Sequence, residues 1–297
     1  GGAGKQARDG DSRLTSMEEL FNLDQPLIET EFVLFDVETT GLSPAYGHRV
    51  CEVACLRVRG GEQVGRFEAL VDPGRRISPG AYHVNQITAE MLAGAPRFAT
   101  VAREVVALME GGVLVAHNAP FDLGFLAMEL ELARVPPPEG PVVDTLTLCR
   151  RVYRFASNSL PAVARTLAVD TGPGHRAMGD AWTTWGVLEA ILCELGQRWQ
   201  VRTLRELLNF QGGSIPYPAP QALVLPPALA EALACAGEVR MRYVDANGNE
   251  TDRVVHPLRV QEQHGTLYLT AHCHRAGALR TFRLDRVIEL VVAEAGG

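Results

Sequence analysis

The feature that most constrains the fold is a change of texture at residues 210–220, where the sequence reads FQGGSIPYPAP. Glycine and proline at this density are typical of a linker, because neither residue readily continues a helix or a strand interior. Before this segment, short apolar runs alternate with stretches of helical spacing, whereas five short alternating segments follow it. The chain is therefore expected to contain two folded units of different class.

The first unit is expected to be an α/β domain with a mixed sheet flanked by helices. Residues 31–36 (EFVLFD) form an apolar run typical of a buried strand, and 49–59 and 64–72 are predicted to pair as a hairpin. A short strand is expected at 113–116. Helical spacing is found over 98–110, 120–134, 144–154, 160–168 and 177–195. An antiparallel start followed by alternating strands and helices predicts a mixed sheet.

The second unit is expected to be a small all-β barrel or sandwich. It begins with a helix over 226–236, followed by strand segments over 238–244, 253–261, 266–273, 279–284 and 287–293. The chain is accordingly divided into four parts. A flexible tail and lead-in (1–30), with a short helix at 17–21, precedes the α/β domain (31–196). A connecting segment (197–222), which contains a short helix at 202–209 and the Gly/Pro-rich linker, leads to the all-β domain (223–297).

Composition narrows the classes of function. The 28 Lys and Arg residues are outnumbered by 35 Asp and Glu, giving a net charge of −7, so a global positive field is not expected to hold nucleic acid. An acidic site neutralised by metal ions remains compatible with nucleic acid. No apolar stretch reaches the length of a membrane span and the N-terminus is polar, so neither a membrane protein nor a signal peptide is expected. Six scattered cysteines predict reduced thiols in a cytoplasmic protein.

Acidic residues occur at positions where strands end and helices begin. Asp36 and Glu38 flank Val37 at the end of the first strand, and the period of two in a strand directs both side chains to one face. Asp122 and Asp180 each lie at the start of a predicted helix. Strand ends and helix starts can meet at one edge of a sheet, where ligand sites of α/β proteins commonly lie. Each acid alone would equally suit a solvated loop or a helix cap.

Crowded carboxylates point to divalent cations. Four ionised acids in one cleft would raise one another's pKa values unless a countercharge is present, and two divalent ions carry that charge. Oxygen ligands suit Mg²⁺ or Mn²⁺, and two such ions can clamp the attacking and leaving oxygens of a phosphoryl displacement. His175, five residues before Asp180, has a side chain suited to act as a general base towards water.

The acids lie in three motifs, which are FDVETTG (35–41), HNAPFDLGFL (117–126) and HRAMGD (175–180), with VVDTLTLCR (142–150) between the last two. These segments resemble the motifs of the DEDDh 3′–5′ exonucleases, the superfamily of the bacterial DNA polymerase III proofreading subunit and ribonuclease T, and the segment that this family has between its second and third motifs. One departure is Gln86, where many relatives have glycine.

The resemblance implies a ribonuclease H-like fold and a role for each motif. It implies that Asp36, Glu38, Asp122 and Asp180 hold two metal ions, Mg²⁺ or Mn²⁺, and that His175 is the general base. It further implies that Thr39 and Thr40 contact the 3′-terminal nucleotide. His117, Asn118 and Phe121 are expected to shape the second motif without catalytic work, and Phe121 and Phe125 to pack in the core.

The C-terminal segment 239–290 resembles a WYL domain, a small SH3/Sm-like barrel attached to bacterial regulators that act on DNA. The matching landmarks are Tyr243, His256-Pro257-Leu258, Leu267-Tyr268-Leu269 and RTFRLDR (280–286), with Leu267 where tryptophan is usual. The resemblance implies the sensing of a nucleotide or of single-stranded nucleic acid.

Candidate ligand contacts in this domain are Tyr268, Arg280, Arg283 and Arg286. Strand alternation is expected to place Arg280 and Arg286 on one face together with Phe282 and Leu284, and Arg283 on the other. The arginines suit either a phosphate-binding patch or a solvated surface paired with Asp285, and Tyr268 suits either base stacking or packing.

The expected function is metal-dependent 3′–5′ hydrolysis of nucleic acid to nucleoside monophosphates. Single-stranded DNA ends are expected over RNA, with the C-terminal domain binding nucleic acid or a nucleotide and tuning the activity. The motifs do not separate a DNA-repair or proofreading nuclease from a hydrolase of RNA or short oligonucleotides. A regulator that only binds nucleic acid is the alternative from another class, and the presence of all five catalytic-type residues counts against it.

Overall fold

The computed structural model of the protein describes residues 20–171, 176–218, 225–263 and 266–293. The tail at 1–19, most of the short helix expected at 17–21, the end of the linker and His175 lie outside these ranges. The α/β domain contains strands β1 (Glu31–Thr39), β2 (Val50–Arg59), β3 (Glu62–Leu70), β4 (Val113–Ala116) and β5 (Val142–Asp144). Its helices are α1 (Pro79–Asn85), α2 (Phe98–Met109), α3 (Ala119–Ala133), α4 (Thr145–Val152), α5 (Leu160–Thr166) and α6 (Ala177–Arg198), followed by α7 (Leu204–Gln211).

The first sheet is mixed, with the strand order β3-β2-β1-β4-β5. Strands β1, β2 and β3 are antiparallel, whereas β4 and β5 run parallel to β1. The β2–β3 hairpin turns at Gly60 and Gly61, whose φ values of 58° and 85° favour glycine. The mixed sheet expected from the sequence, which has a ribonuclease H-like arrangement, is confirmed.

Strand β1 is buried on both faces, so its period of two assigns alternate residues to two cores. Phe32 and Leu34 pack towards α6, and Val33 and Phe35 pack towards α2 and α3. The row that begins with Phe32 and Leu34 continues with Asp36 on the α6 side of the sheet. The apolar alternation of β1 thus determines which layer the first acid faces.

Helix α1 lacks the apolar spacing that would have predicted it, because only Gly80 and Asn85 of its seven residues are buried. Its start has a clear signal, since the Ser78 hydroxyl accepts a hydrogen bond from the amide of Ala81 and a proline opens the helix. At its end Gln86 adopts φ 55°, and its side-chain amide donates to the carbonyls of Tyr82 and His83. Gln86 therefore occupies a left-handed position that favours glycine, and its side chain closes the helix.

Part of the expected linker is fixed to the first domain. Gln211 at the end of α7 donates to the carbonyl of Val142 and accepts from the amide of Asp144, both in β5. The Ser214 hydroxyl accepts a hydrogen bond from the amide of Val142, and the amide of Ile215 donates one to the carbonyl of Val142. The chain therefore remains hydrogen-bonded to the sheet as far as residue 215.

The C-terminal domain is a five-stranded all-antiparallel sheet preceded by helix α8 (Pro227–Cys235). Its strands are β6 (Val239–Val244), β7 (Glu250–Gln263), β8 (Thr266–Cys273), β9 (Ala278–Arg283) and β10 (Val287–Val292), in the order β10-β6-β7-β8-β9. A 3₁₀ turn, Leu284–Arg286, joins the two outer strands. Phe282 and Leu284 are buried as expected.

The expected alternation from residue 280 to residue 286 was wrong. Strand β9 ends at Arg283, so Arg286 lies in the 3₁₀ turn and does not continue the face that carries Arg280. A 3₁₀ turn repeats every three residues, so it ends the two-residue alternation of side chains that holds in the strand. Within the described residues, no helix is both long and apolar enough to cross a membrane.

Candidate metal centre

Three of the predicted acids meet at the end of β1. One carboxylate oxygen from each of Asp36, Glu38 and Asp180 lies within 4.8 Å of the other two. Asp36 and Glu38 come from β1, whereas Asp180 comes from the first turn of α6, the helix packed over the same face. The expected shared face of Asp36 and Glu38 is thus present in the fold.

Asp122 reaches the same place from the other side of the sheet. Asn118 adopts φ 75° after β4, and this turn starts α3 so that Asp122 falls in its first turn. The Oδ1 atom of Asp122 accepts a hydrogen bond of 3.2 Å from the amide of Val37, between the two acids of β1. Acids from three distant parts of the sequence therefore converge at the end of β1.

The electrostatics of the cluster favour bound cations. Burial raises the pKa of Asp36 well above its ordinary value, and the charges of Asp122 and Glu38 raise it further. Burial, with the charges of Asp180 and Glu52, raises the pKa of Glu38 to about 8. Without a countercharge Asp36 and Glu38 therefore retain protons. Carboxylate oxygens are the hard ligands that Mg²⁺ and Mn²⁺ accept, so the residues fit such ions. Because the ions must displace protons, their binding should strengthen as the pH rises towards about 8.

Glu52 is a residue of the site that the sequence analysis missed. It is fully buried on β2, opposite Glu38 in the β1–β2 register. Its carboxylate accepts hydrogen bonds from the Arg176 guanidinium at 2.5–3.0 Å and from the Ala177 amide at 3.0 Å. Glu52 thus anchors the start of α6 three residues before Asp180. The available signal was its position two residues before Ala54, because this spacing places the acid on the strand face that packs into the core.

Loss of the Arg176 side chain should destabilise the fold more than neutralisation of Glu52. Arg176→Ala leaves the fully buried Glu52 carboxylate with the Ala177 amide, and this should lower the free energy of unfolding by about 3–5 kcal/mol. Glu52→Gln should cost only about 1–3 kcal/mol, because Arg176, whose side chain is 39% exposed, can reach water. Urea unfolding measures both changes.

Arg198→Ala, at the other end of α6, is the matched control. Its exposed ion pair with Glu194 and its contact with the ring of Trp199 should together contribute about 1 kcal/mol. An Arg176→Ala protein no less stable than Arg198→Ala would contradict the anchoring role of the Glu52–Arg176 pair.

The second motif is held in place by Asp144, the N-cap of α4. Its Oδ1 accepts from the amides of Asn118 and Ala119, at 2.8 and 3.1 Å, and thereby fixes the turn before Asp122. His117 donates from Nε2 to the carbonyl of Asn158, which leaves Nδ1 to accept from the Thr145 hydroxyl. Burial lowers the pKa of His117, so this side chain is a neutral structural group.

The first-motif threonines differ in their access to the site. Thr39 lines a cavity of about 170 Å³ together with Glu38, and its hydroxyl donates to the carbonyl of Gly41. Thr40 is fully buried, and its hydroxyl lies 3.2 Å from Nδ1 of His48 and accepts from the amide of Arg49. Its backbone amide donates to the carbonyl of Arg49 and its carbonyl accepts from the amide of Ser78, so Thr40 supports the loop and the predicted nucleotide contact falls to Thr39.

The two phenylalanines of the second motif pack as expected. The rings of Phe121 and Phe125 lie 5.0 Å apart, and Phe125 is buried. Trp185 of α6 is nearly buried against Phe32.

The candidate contacts of the C-terminal domain lie on three different elements. Tyr268 is half-buried on β8 opposite Arg283, whose guanidinium donates to Asp285 at 2.6 and 3.1 Å. Arg280 is exposed on β9, and Arg286 is half-buried in the 3₁₀ turn. Their role in ligand binding stays a prediction.

Part of the chain is similar in sequence to bacterial DNA polymerase III proteins. DNA polymerase III PolC-type from Halalkalibacterium halodurans is 37% identical over 174 residues, which cover 58% of this chain and 12% of the relative. A DNA polymerase III subunit epsilon-like protein from Rhodobacter capsulatus is 40% identical over 166 residues, which cover 54% of this chain and 23% of the relative. The chain thus spans less than a quarter of either relative.

Structural similarity supports the same fold. A crystal structure of E. coli exonuclease I in complex with a dT13 oligonucleotide has a TM-score of 0.51 and 17% identity, covering 82% of this chain and 55% of that chain. The WYL domain profile matches residues 226–292, and the exonuclease profile of the RNase T family matches residues 33–188. Since the latter match covers more than half of the 297 residues, the chain belongs to this exonuclease family.

Proposed function

We propose that the chain is a metal-dependent 3′–5′ exonuclease that releases nucleoside monophosphates from nucleic acid. The observation that carries this proposal is the convergence of the Asp36, Glu38 and Asp180 carboxylates within 4.8 Å, with Asp122 hydrogen-bonded beside them. Membership of the exonuclease family supports the reaction class.

Asp36, Glu38, Asp122 and Asp180 would hold two ions, Mg²⁺ or Mn²⁺. Bound there, the ions would neutralise the acids and stabilise charge on the oxygens of an in-line displacement at phosphorus. The protein fixes the four carboxylates by strand register, by the Val37 amide and by the Glu52–Arg176 pair. This rigid support suits a reaction that depends on accurate positioning.

His175 would act as the general base that removes a proton from the attacking water. It directly precedes Arg176, whose guanidinium is fixed by Glu52. Thr39, beside Glu38 at the cavity, would contact the 3′-terminal nucleotide. Thr40 would support the loop through its backbone hydrogen bonds to Arg49 and Ser78.

DNA is the proposed substrate in preference to RNA. The relatives named above are DNA polymerase III proteins, and the similar exonuclease I was solved with a DNA oligonucleotide. The C-terminal domain would bind nucleic acid or a nucleotide.

The free thiols of Cys51, Cys55, Cys149, Cys193 and Cys273 fit the predicted cytoplasmic location.

Chelation should abolish the activity. EDTA should stop degradation of a 3′-labelled DNA strand, because it removes the cations that would stabilise charge on the oxygens of the reacting phosphate, and added Mg²⁺ or Mn²⁺ should restore it. Gel analysis of matched DNA and RNA strands, with and without metal, measures both the dependence and the substrate preference. Degradation that continues at full rate in EDTA would overturn the metal mechanism.

A further inference from the structure

The C-terminal domain packs directly against the α/β domain beside the acidic cluster. Helix α1 contacts the 3₁₀ turn Leu284–Arg286 and strand β10. A Cβ atom added at Gly80 would lie 2.5 Å from the carbonyl oxygen of Val287 and 2.8 Å from that of Asp285. Backbone therefore meets backbone here, and a side chain at residue 80 would force the two domains apart.

Other contacts surround this backbone approach. Leu42, two residues after Thr40, packs against the core of the C-terminal domain. His83 and Arg150 of the first domain lie 3.0 and 2.6 Å from Glu250 and Glu231 of the second. These contacts are partly exposed and each contributes little. The apolar and backbone contacts therefore dominate the interface.

Two cavities lie between the cluster and the C-terminal domain. The Glu38 cavity, of about 170 Å³, is lined by Glu38 and Thr39 on one side and by Asp285 and Ile288 on the other. The Asp36 cavity, of about 370 Å³, is lined on one side by Asp36, Asp180, His117 and Asn118 and on the other by Ala228, Glu231, Leu290, Val291 and Val292. The Asp36 cavity falls within the ~300–1,000 Å³ range of small-ligand sites and the Glu38 cavity is smaller, so each has a size that suits a single nucleotide and not a base-paired end.

We propose that the turn Leu284–Arg286 and strand β10 form one wall of the substrate cleft, which admits an unpaired 3′ end and excludes a base-paired one. This inference rests on the exonuclease function proposed above and on the single-stranded ends expected from the sequence, and it adds the element of the C-terminal domain that selects them. A paired end must separate its terminal bases before the 3′ nucleotide can pass between this wall and the acids.

The chemistry of the wall suits bases and sugars of any sequence. Ile288, Leu290 and Val292 present apolar groups to the cavities. Asp285 already accepts hydrogen bonds from Arg283, so its charge is offset and adds little repulsion. Apolar contact with a base face does not depend on base identity, and little sequence preference follows.

The test compares hydrolysis of a 3′-labelled DNA strand with hydrolysis of the same strand in a blunt duplex. The wild-type protein should favour the single strand by roughly ten- to a hundredfold, the effect of opening the terminal pairs. Gly80→Ala should reduce this ratio severalfold by moving the wall outwards, since alanine itself suits a helix. Ile288→Ala, which widens the Glu38 cavity, should shift the ratio in the same direction.

Matched controls separate the wall from general damage. Gly196→Ala makes the same exchange in α6, where the nearest atom to the new Cβ is 3.8 Å away. Leu279→Ala truncates a side chain that is 59% exposed on β9. Both controls should keep the wild-type ratio. If Gly80→Ala and Ile288→Ala also keep it, the wall proposal is wrong.

A binding assay distinguishes failure of the wall from failure of the nuclease assignment. Fluorescence anisotropy with the same two DNAs in Ca²⁺ reports their relative affinities without depending on turnover. A wild-type protein that cleaves neither DNA but prefers the single strand, with the preference reduced in Gly80→Ala, would refute the nuclease and support the wall. Equal affinity of the wild type for both DNAs would refute the wall whatever the activity.

Discussion

Asp36→Asn should lower the rate of 3′-end hydrolysis by about 10³-fold or more, because a cation at this site supplies several kcal/mol of charge stabilisation in the transition state. The same change should leave the metal-free protein at least as stable as wild type. Asp36 lies beside Glu38 and Asp180, and its raised pKa shows that its charge is unfavourable there. Rate measurements in saturating Mg²⁺, combined with urea unfolding in EDTA, test both parts.

Asp252→Asn is the matched control for this exchange. Asp252 is exposed on β7 in the C-terminal domain, so both rate and stability should stay close to wild type. The account would be contradicted if Asp36→Asn retained a wild-type rate, or if it lost activity only because it unfolded.

His175→Ala should reduce turnover by about 10²–10⁴-fold, the contribution typical of a positioned general base. Binding of the DNA strand should change little, because the carboxylates that hold the cations remain. Single-turnover kinetics with an excess of enzyme separate the chemical step from binding. Asp180 and Arg176, which flank the start of α6, stay intact in this variant.

His274→Ala provides the comparison for His175→Ala. The His274 ring lies 2.7 Å from Glu238 in the C-terminal domain and is 48% exposed, so its loss should leave turnover unchanged. A His175→Ala enzyme with wild-type turnover would reduce this histidine to a structural role. A proportionate loss in binding instead would assign it to substrate contact.

The acids could be predicted from sequence because each belongs to a local pattern. Asp36 and Glu38 share a strand face by their spacing alone, and Asp122 and Asp180 stand at recognisable helix starts. Their meeting point depends on sheet order, which the motifs implied only through resemblance. The structure supplied the atoms that join them, such as the Val37 amide.

Glu52 could not be recognised in the same way. It lies in an apolar strand, and its partner Arg176 is 124 residues away. The pair arises only when β2 is registered beside β1 and α6 packs over both. A buried acid in a strand predicts some partner, but not which one.

The wrong strand alternation predicted for Arg286 and the unpredicted packing of the C-terminal domain on α1 have a common cause. A period of two continues on paper through residues 280–286, but the chain leaves the sheet at Leu284 to form the turn that meets α1. The close approach at Gly80 involves two backbones, so no side-chain pattern announces it. Docking between domains is a tertiary property that local patterns do not encode.

Titration of the protein with Mn²⁺, followed by electron paramagnetic resonance of the free ion, tests the central claim most directly. The wild-type chain should bind two ions, and Asp36→Asn should lose at least one of them, because Asp36 lies in the group of carboxylates within 4.8 Å of one another. Wild-type binding no greater than that of Asp36→Asn would show that these carboxylates do not form a metal centre.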